Sequence, residues 1–223
     1  VKKMKKISVT LLLLGLAFLG FSSLSLAQSQ REARLTVAPA FFLLNQNNLE
    51  KFNETVSSSG NFNPLEGKGF PGIVINATAP LKNSDLWLGT STLITWAKSE
   101  KEEQTLTYAA VGLTISVEKL VQLADKLQVG YGGLVGYGIS SVGAQFEEDG
   151  SLGEQLERAK YSQANDIYYL TGLKGEISYE ILDGISLTCQ AQYLLPWGSY
   201  GTKDFDLPMG GPSVLIGLLM HLP

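Results

Sequence analysis

Cysteine, histidine and long apolar runs are all scarce in this chain, and each scarcity closes a class of chemistry. The one cysteine, Cys189, has no second thiol to pair with, so no intrachain disulfide can form and no cysteine cluster can hold a metal. His221 is the one histidine, so any serine-histidine-acid arrangement or histidine metal site has to include it. Past residue 27 no segment approaches the ~20 uncharged apolar residues of a spanning helix. The longest candidate, Gly210 to Pro223, contains His221. Basic residues are also outnumbered, 17 against 21 acids, which makes the chain a poor partner for nucleic acid. Stability has to come from packing and backbone hydrogen bonds.

Basic residues do cluster at the start. Lys2, Lys3, Lys5 and Lys6 precede an apolar run from Ile7 to Phe21, which is followed by Ser22-Ser23-Leu24-Ser25-Leu26-Ala27. A basic n-region, an apolar h-region and a small-x-small site predict a secretory signal peptide over residues 1–27, cleaved after Ala27. The run is too short to span a bilayer comfortably, which favours a cleaved signal over an anchor. No cysteine follows it, so it is not a lipoprotein signal. Residues 28–223 then form one domain, and loss of four lysines takes the net charge from -4 to -8.

What is abundant is glycine and period-two alternation. From Ile185 to Trp197 the residues Ile185, Leu187, Cys189, Ala191, Tyr193, Leu195 and Trp197 share one face, with Ser186, Thr188, Gln190 and Gln192 opposite. Just before, Ile167, Tyr169, Leu173, Ile177 and Tyr179 oppose Lys174, Glu176, Ser178 and Glu180. Asp183-Gly184 joins the two segments, and an Asp-Gly pair supplies the backbone angles of a tight hairpin. Six further strands are expected at about 33 to 44, 69 to 81, 85 to 98, 104 to 117, 127 to 145 and 211 to 222. The connections between them are mainly long and polar at one end (45 to 68, 146 to 164, 198 to 210), although 99 to 103 is short; at the other end lie Lys82-Asn83-Ser84 and Asp183-Gly184. Such alternation is what an up-and-down membrane barrel of eight antiparallel strands requires, with both termini on the periplasmic side. The spacing of Val117, Leu120, Val121, Ala124 and Leu127 predicts a short amphipathic helix from Glu118 to Lys126 at the periplasmic rim.

The faces argue for lipid outside. Tyr131, Val135, Tyr137 and Ile139 share one face, while Gly130, Gly132, Gly136, Gly138 and Ser140 share the other. Glycines this dense cannot build the apolar core of a soluble barrel but suit a narrow lumen. Trp96, Tyr108, Tyr169, Tyr179, Tyr193 and Trp197 are expected in the interfacial girdles. Leu93, Leu134, Leu170, Leu194, Leu215 and Leu219 fall inward, making the lumen partly apolar.

With this all-β pattern the chain resembles the small eight-stranded outer-membrane barrels of the OmpA, OmpX and OmpW type, over its whole length but in architecture alone. The resemblance implies outer-membrane lipid and the barrel-assembly machinery as partners, no cofactor and no catalysis. One departure is the end of the last strand, Met220-His221-Leu222-Pro223, where these families usually place an aromatic residue recognised during assembly.

The search for chemistry is mostly negative. The stretch Gly130 to Gly138 fails as a dinucleotide loop, because Val135 stands where glycine is needed and no helix follows. A triad of His221 with Ser213 or Ser178 and Glu180 can be drawn, yet nothing in the spacing supports it. Lys174, Glu176 and Glu180 are charges inside a strand, and Arg34 on the first strand joins them if it too points inward. They form either a polar constriction controlling ions, as the resemblance implies, or a structural salt-bridge network filling the lumen. The functional expectation is a non-enzymatic barrel, structural or a narrow passage for small solutes. The alternatives are OmpW-like handling of a small hydrophobic ligand and adhesion through the loops.

Overall fold

The computed structural model describes residues 33–44, 46–58, 63–67, 69–82, 84–101, 104–145, 163–198 and 207–222. The expected signal peptide lies outside the described residues. Strands β1 (Ala33–Leu43), β2 (Gly69–Pro80), β3 (Leu86–Lys101), β4 (Gln104–Ala124), β5 (Leu127–Gln145), β6 (Gln163–Leu182), β7 (Ile185–Trp197) and β8 (Gly211–Leu222) pair in sequence order, all antiparallel. β8 closes on β1, with Arg34 opposite His221, so no sheet edge remains along the closed wall. Following ladder partners once round from Leu120 returns to β4 at Ala110, a shear of ten residues. A sheared eight-stranded barrel has strands tilted by about 40° and an interior just wide enough for side chains to fill it.

The alternation decides which side chains enter that interior. On β7 the buried residues are Ser186, Thr188, Gln190, Gln192 and Leu194, while Leu187, Cys189, Ala191, Tyr193, Leu195 and Trp197 are exposed. The exterior is accordingly apolar, with Val37, Ile115, Val135, Leu173, Ile177 and Ile216 among its exposed side chains. Glycine lines the crowded side: a Cβ on Gly136 would strike the Leu113 carbonyl, and one on Gly138 would enter the Tyr168 ring. In the tight turn, Gly184 holds φ at +74°, which any other residue would adopt at a cost.

Aromatics mark the two ends of the apolar band. Tyr137, Tyr169 and Trp197 are register partners across β5, β6 and β7, and the Tyr169 and Trp197 rings lie 4.8 Å apart. Trp96 and Tyr193 also face outward at the loop end, and Tyr179 does so at the turn end. Tyr169 and Tyr179 are ten residues apart on β6. That is roughly 33 Å along the strand and, after tilt, roughly 25 Å along the axis, the height of a bilayer-facing band. Tyr108 breaks the expected girdle: it points inward, 1% exposed, with its ring against Phe70. No helix among the described residues is long and apolar enough to cross a membrane.

One helical expectation is overturned, and one helix stands where a polar connection was expected. Residues 118–124 are strand, not helix, because their backbone continues the ladder with β5 through Leu120–Gly130 and Val121–Val129, ending in a bulge and the turn Asp125-Lys126. A ladder shared with a neighbour outcompetes one short helical turn, whose nucleation is unfavourable. The polar connection 45 to 68 instead contains helix α1, Gln46–Ser58. Leu49, Phe52 and Val56 stand at the i, i+3, i+7 spacing of one helical face, and all three are buried.

Candidate functional site

The interior is stratified from the turn end to the loop end. At the turn end an open vestibule of about 370 Å³ is lined by Gln122, Gln128, Ser178, Glu180, Ser186 and His221, with Asp125, Lys126 and Asp183 from the two adjoining turns. Ser186 Oγ and His221 Nε2 lie 3.5 Å apart. Ser178, Glu180 and His221 therefore share one mouth, whereas Ser213 sits toward the opposite end of β8 and cannot join them.

Above the vestibule lies a charged layer. Arg34 on β1 reaches across the lumen to Glu176 on β6, stacking over the Trp87 ring at 5.6 Å, and Gln190 Nε2 donates to the second Glu176 oxygen. Lys174 pairs with Glu118 on β4 at 2.7 Å, and Ser116 Oγ donates to the same carboxylate oxygen at 2.5 Å. Oriented by its neighbours, Asn76 accepts from Lys174 Nζ at 3.2 Å and donates to Ser91 Oγ at 2.9 Å. Both cations and both carboxylates are buried, so the layer is electrically balanced and nearly dry. In such surroundings an ion pair persists only if its remaining valences are met, which explains why amides and hydroxyls crowd around it.

Of the four charges singled out from the sequence, Arg34, Lys174 and Glu176 come together in this layer. Glu180 does not: it is two inward positions nearer the turn end on β6, half-buried in the vestibule wall. The partner that sequence reasoning missed is Glu118, concealed by the helical reading of 118 to 126. Its signal was parity, since Thr114, Ser116 and Glu118 continue the inward face of β4.

The third layer is apolar. Leu93, Leu134, Leu170, Leu194 and Leu215 fill the lumen, followed by Phe42 and Phe70. β3 to β6 then rise beyond the rest of the wall, because β2–β3 pairing stops at Gly72–Thr95 while β3–β4 pairing continues to Lys101–Gln104. Likewise β6–β7 pairing stops at Tyr169–Trp197 while β5–β6 pairing continues to Gly143–Gln163. The inner face of this half-wall is covered by α1, Leu65 and the segment Leu207 to Gly210, with Leu207 and Met209 fully buried. The cover is pinned by side chains. Asn53 exchanges two hydrogen bonds with the Leu65 backbone (2.9 and 3.0 Å), Asn63 Nδ2 donates to the Glu100 carbonyl (2.8 Å), and the Met209 amide donates to Tyr168 Oη (2.8 Å).

Among the described residues no group of three or more His, Cys, Asp or Glu side chains is arranged to hold a metal ion. No protein-family model and no curated protein matches the sequence. Among solved structures, the chain is similar to a major outer membrane protein from Thermus thermophilus, at 10% identity over 85% of this chain and 99% of that one, TM-score 0.49. It is similar to OprG, an outer membrane protein of Pseudomonas aeruginosa, at 8% identity over 86% and 96%, TM-score 0.48. It is also similar to Ail, the attachment invasion locus protein of Yersinia pestis, at 10% identity over 86% and 99%, TM-score 0.48; that structure holds the heparin analogue sucrose octasulfate. At these identities and TM-scores the likenesses carry no assignment, and the architecture rests on the chain's own strand pairing. The chain is a closed eight-stranded antiparallel β-barrel, and its own exposed apolar belt and aromatic girdles are what suit it to a bilayer.

Proposed function

We propose that the mature chain, exported with loss of residues 1–27, is a sealed outer-membrane barrel that conducts nothing and presents an ordered platform at its loop end. One observation carries this reading: the lumen is filled twice, by the neutral charged layer and by the leucine and phenylalanine layer beneath α1. An ion that passes the vestibule meets at the charged layer a balanced set of buried pairs with no net charge to attract it, so the layer works as a plug. A small hydrophobic ligand fares no better, because the protein's own side chains occupy the apolar half of the lumen. What remains for function is the external half-wall with its pinned cover, a pre-organised surface of the kind loops on rigid scaffolds provide.

Two measurements test the proposal. In planar bilayers the purified barrel is expected to give no stepwise conductance, and discrete reproducible steps would overturn the sealed reading. In fractionated cells the mature chain is expected with the outer membrane, migrating faster on a denaturing gel before boiling than after. Recovery as a soluble periplasmic protein would sink the membrane assignment.

A further inference from the structure

Proline cannot donate to a ladder, and most strand prolines of this barrel stand where a ladder ends. Pro71 lies just past the β2–β3 pairing, Pro80 closes its other end, Pro196 lies beyond β7–β8 and Pro212 just beyond β1–β8. Pro39 does not follow this placement. Pairing between β1 and β2 runs unbroken through Pro39–Ile73, whereas between β1 and β8 it skips Ala38–Gly217 and Pro39–Ile216, with paired residues on either side. The donor that Pro39 lacks therefore faces β8, and its rung to the Ile216 carbonyl is missing from the middle of the seam. The other ladders are continuous apart from bulges beside the turns at Asp125-Lys126 and Asp183-Gly184. Pro39 and Ile216 both face outward, where hydrocarbon offers no water to replace the lost bond.

The same seam joins two strands that are not consecutive along the chain, unlike every other neighbouring pair. What holds it is attached elsewhere. At the turn end Arg34 of β1 reaches Glu176 on β6, and the His221 amide of β8 donates to the Gly184 carbonyl at 2.9 Å. At the loop end β1 continues through Leu44 toward α1, and Leu207 to Gly210 lead into β8. Leu44, the apolar face of α1, Leu207 and Met209 are buried in one cluster with Leu106 and Tyr108 of β4, Val142 of β5 and Tyr168 of β6. Where the two extensions leave the seam they touch. Gly211, at φ +99°, lies so close to β1 that a Cβ there would fall 2.3 Å from the Leu43 carbonyl oxygen. We propose that the wall gives way first between β1 and β8, and that the loop-end cover is the latch that keeps this seam shut by tying both of its strands to the half-wall. The inference needs the lipid-facing exterior and is independent of whether the barrel conducts.

Rates of unfolding in urea from lipid vesicles test this on the full mature barrel, because the unfolding rate reports what breaks on the way to the transition state. Pro39→Val restores an N–H toward the Ile216 carbonyl and is expected to slow unfolding about fivefold, the worth of one hydrogen bond. Phe52→Ala loosens the cover and is expected to speed unfolding about tenfold or more. In a chain carrying Cys189→Ser, Val37→Cys and Leu218→Cys, register partners across the seam, the oxidised form is expected to lose that acceleration. A disulfide between Ile73→Cys and Ile94→Cys, partners on β2 and β3, is expected to leave it intact. Equal acceleration behind both disulfides would show that the cover does not act through the seam, and an unchanged rate in Pro39→Val would show that the wall gives elsewhere; either result overturns the proposal. If Phe52→Ala loses heat-dependent gel migration or a disulfide does not form, the rates of Pro39→Val and Pro39→Ala decide.

Discussion

Replacing Glu176 with leucine is expected to destabilise the folded barrel by about 3–5 kcal/mol, because it strands a buried cation. Arg34 has Glu176 as its one hydrogen-bonding partner among the described residues, and its Nε and Nη1 already lack acceptors. Removing the carboxylate leaves the guanidinium with only the Trp87 face, and it also deprives Gln190 of an acceptor. Lys174 is better protected, since Asn76 remains beside it if Glu118 is lost, so Glu118→Gln is expected to cost less. The double change Arg34→Leu with Glu176→Leu removes both charges and is expected to recover a large part of the loss. Unfolding in urea from lipid vesicles measures these three variants and Arg34→Leu alone. Strict additivity of Arg34→Leu and Glu176→Leu would mean that the two groups do not interact, and the plug would lose its physical basis.

Arginine at Ala191 is expected to cost about 2–4 kcal/mol, and the same residue at Leu187 distinctly less. The reason is depth. Leu187 is the register partner of Tyr179 in the turn-end girdle, so an arginine there can extend its head group to the interface. Ala191 lies on the same exposed face of β7, midway to Trp197 in the loop-end girdle, where neither interface is within easy reach. Gln128→Arg supplies the inward control: its side chain lines the vestibule near Glu180 and Asp125, and the added cation is expected to be tolerated. Gln190, although also inward, is a poor control because it donates to Glu176 inside the balanced layer. Equal cost at Ala191, Leu187 and Gln128 in the same unfolding experiment would contradict lipid outside.

These two expectations draw on different amounts of the sequence. The lipid-facing set was legible, because a strand has a period of two and a barrel wall has two chemically different sides: Leu187, Ala191, Leu173 and Ile177 could be assigned outward from alternation alone. The six inward leucines and the crowded glycines followed from the same parity. Tyr108 did not, because girdle membership was inferred from residue type while its parity, shared with Leu106 and Ala110, places it inside. α1 was hidden by composition: an asparagine- and glutamate-rich stretch reads as loop until a surface exists for Leu49, Phe52 and Val56 to bury against, and that surface is the half-wall. The segment 118 to 126 was hidden by the opposite error, since its apolar spacing fits a helix until β5 offers a ladder.

By itself, then, the sequence determined the number and order of strands, the turn at Asp183-Gly184 and the sorting of side chains into lumen and lipid, all of which depend on neighbours along the chain. Which lumenal charges meet was decided by the tertiary structure. Lys174 and Glu176 are two residues apart and point the same way, yet each takes its partner from another strand, Glu118 on β4 and Arg34 on β1. A ten-residue shear brings those positions to one level, and shear belongs to the closed barrel as a whole, because no single strand records how far its neighbours have slipped.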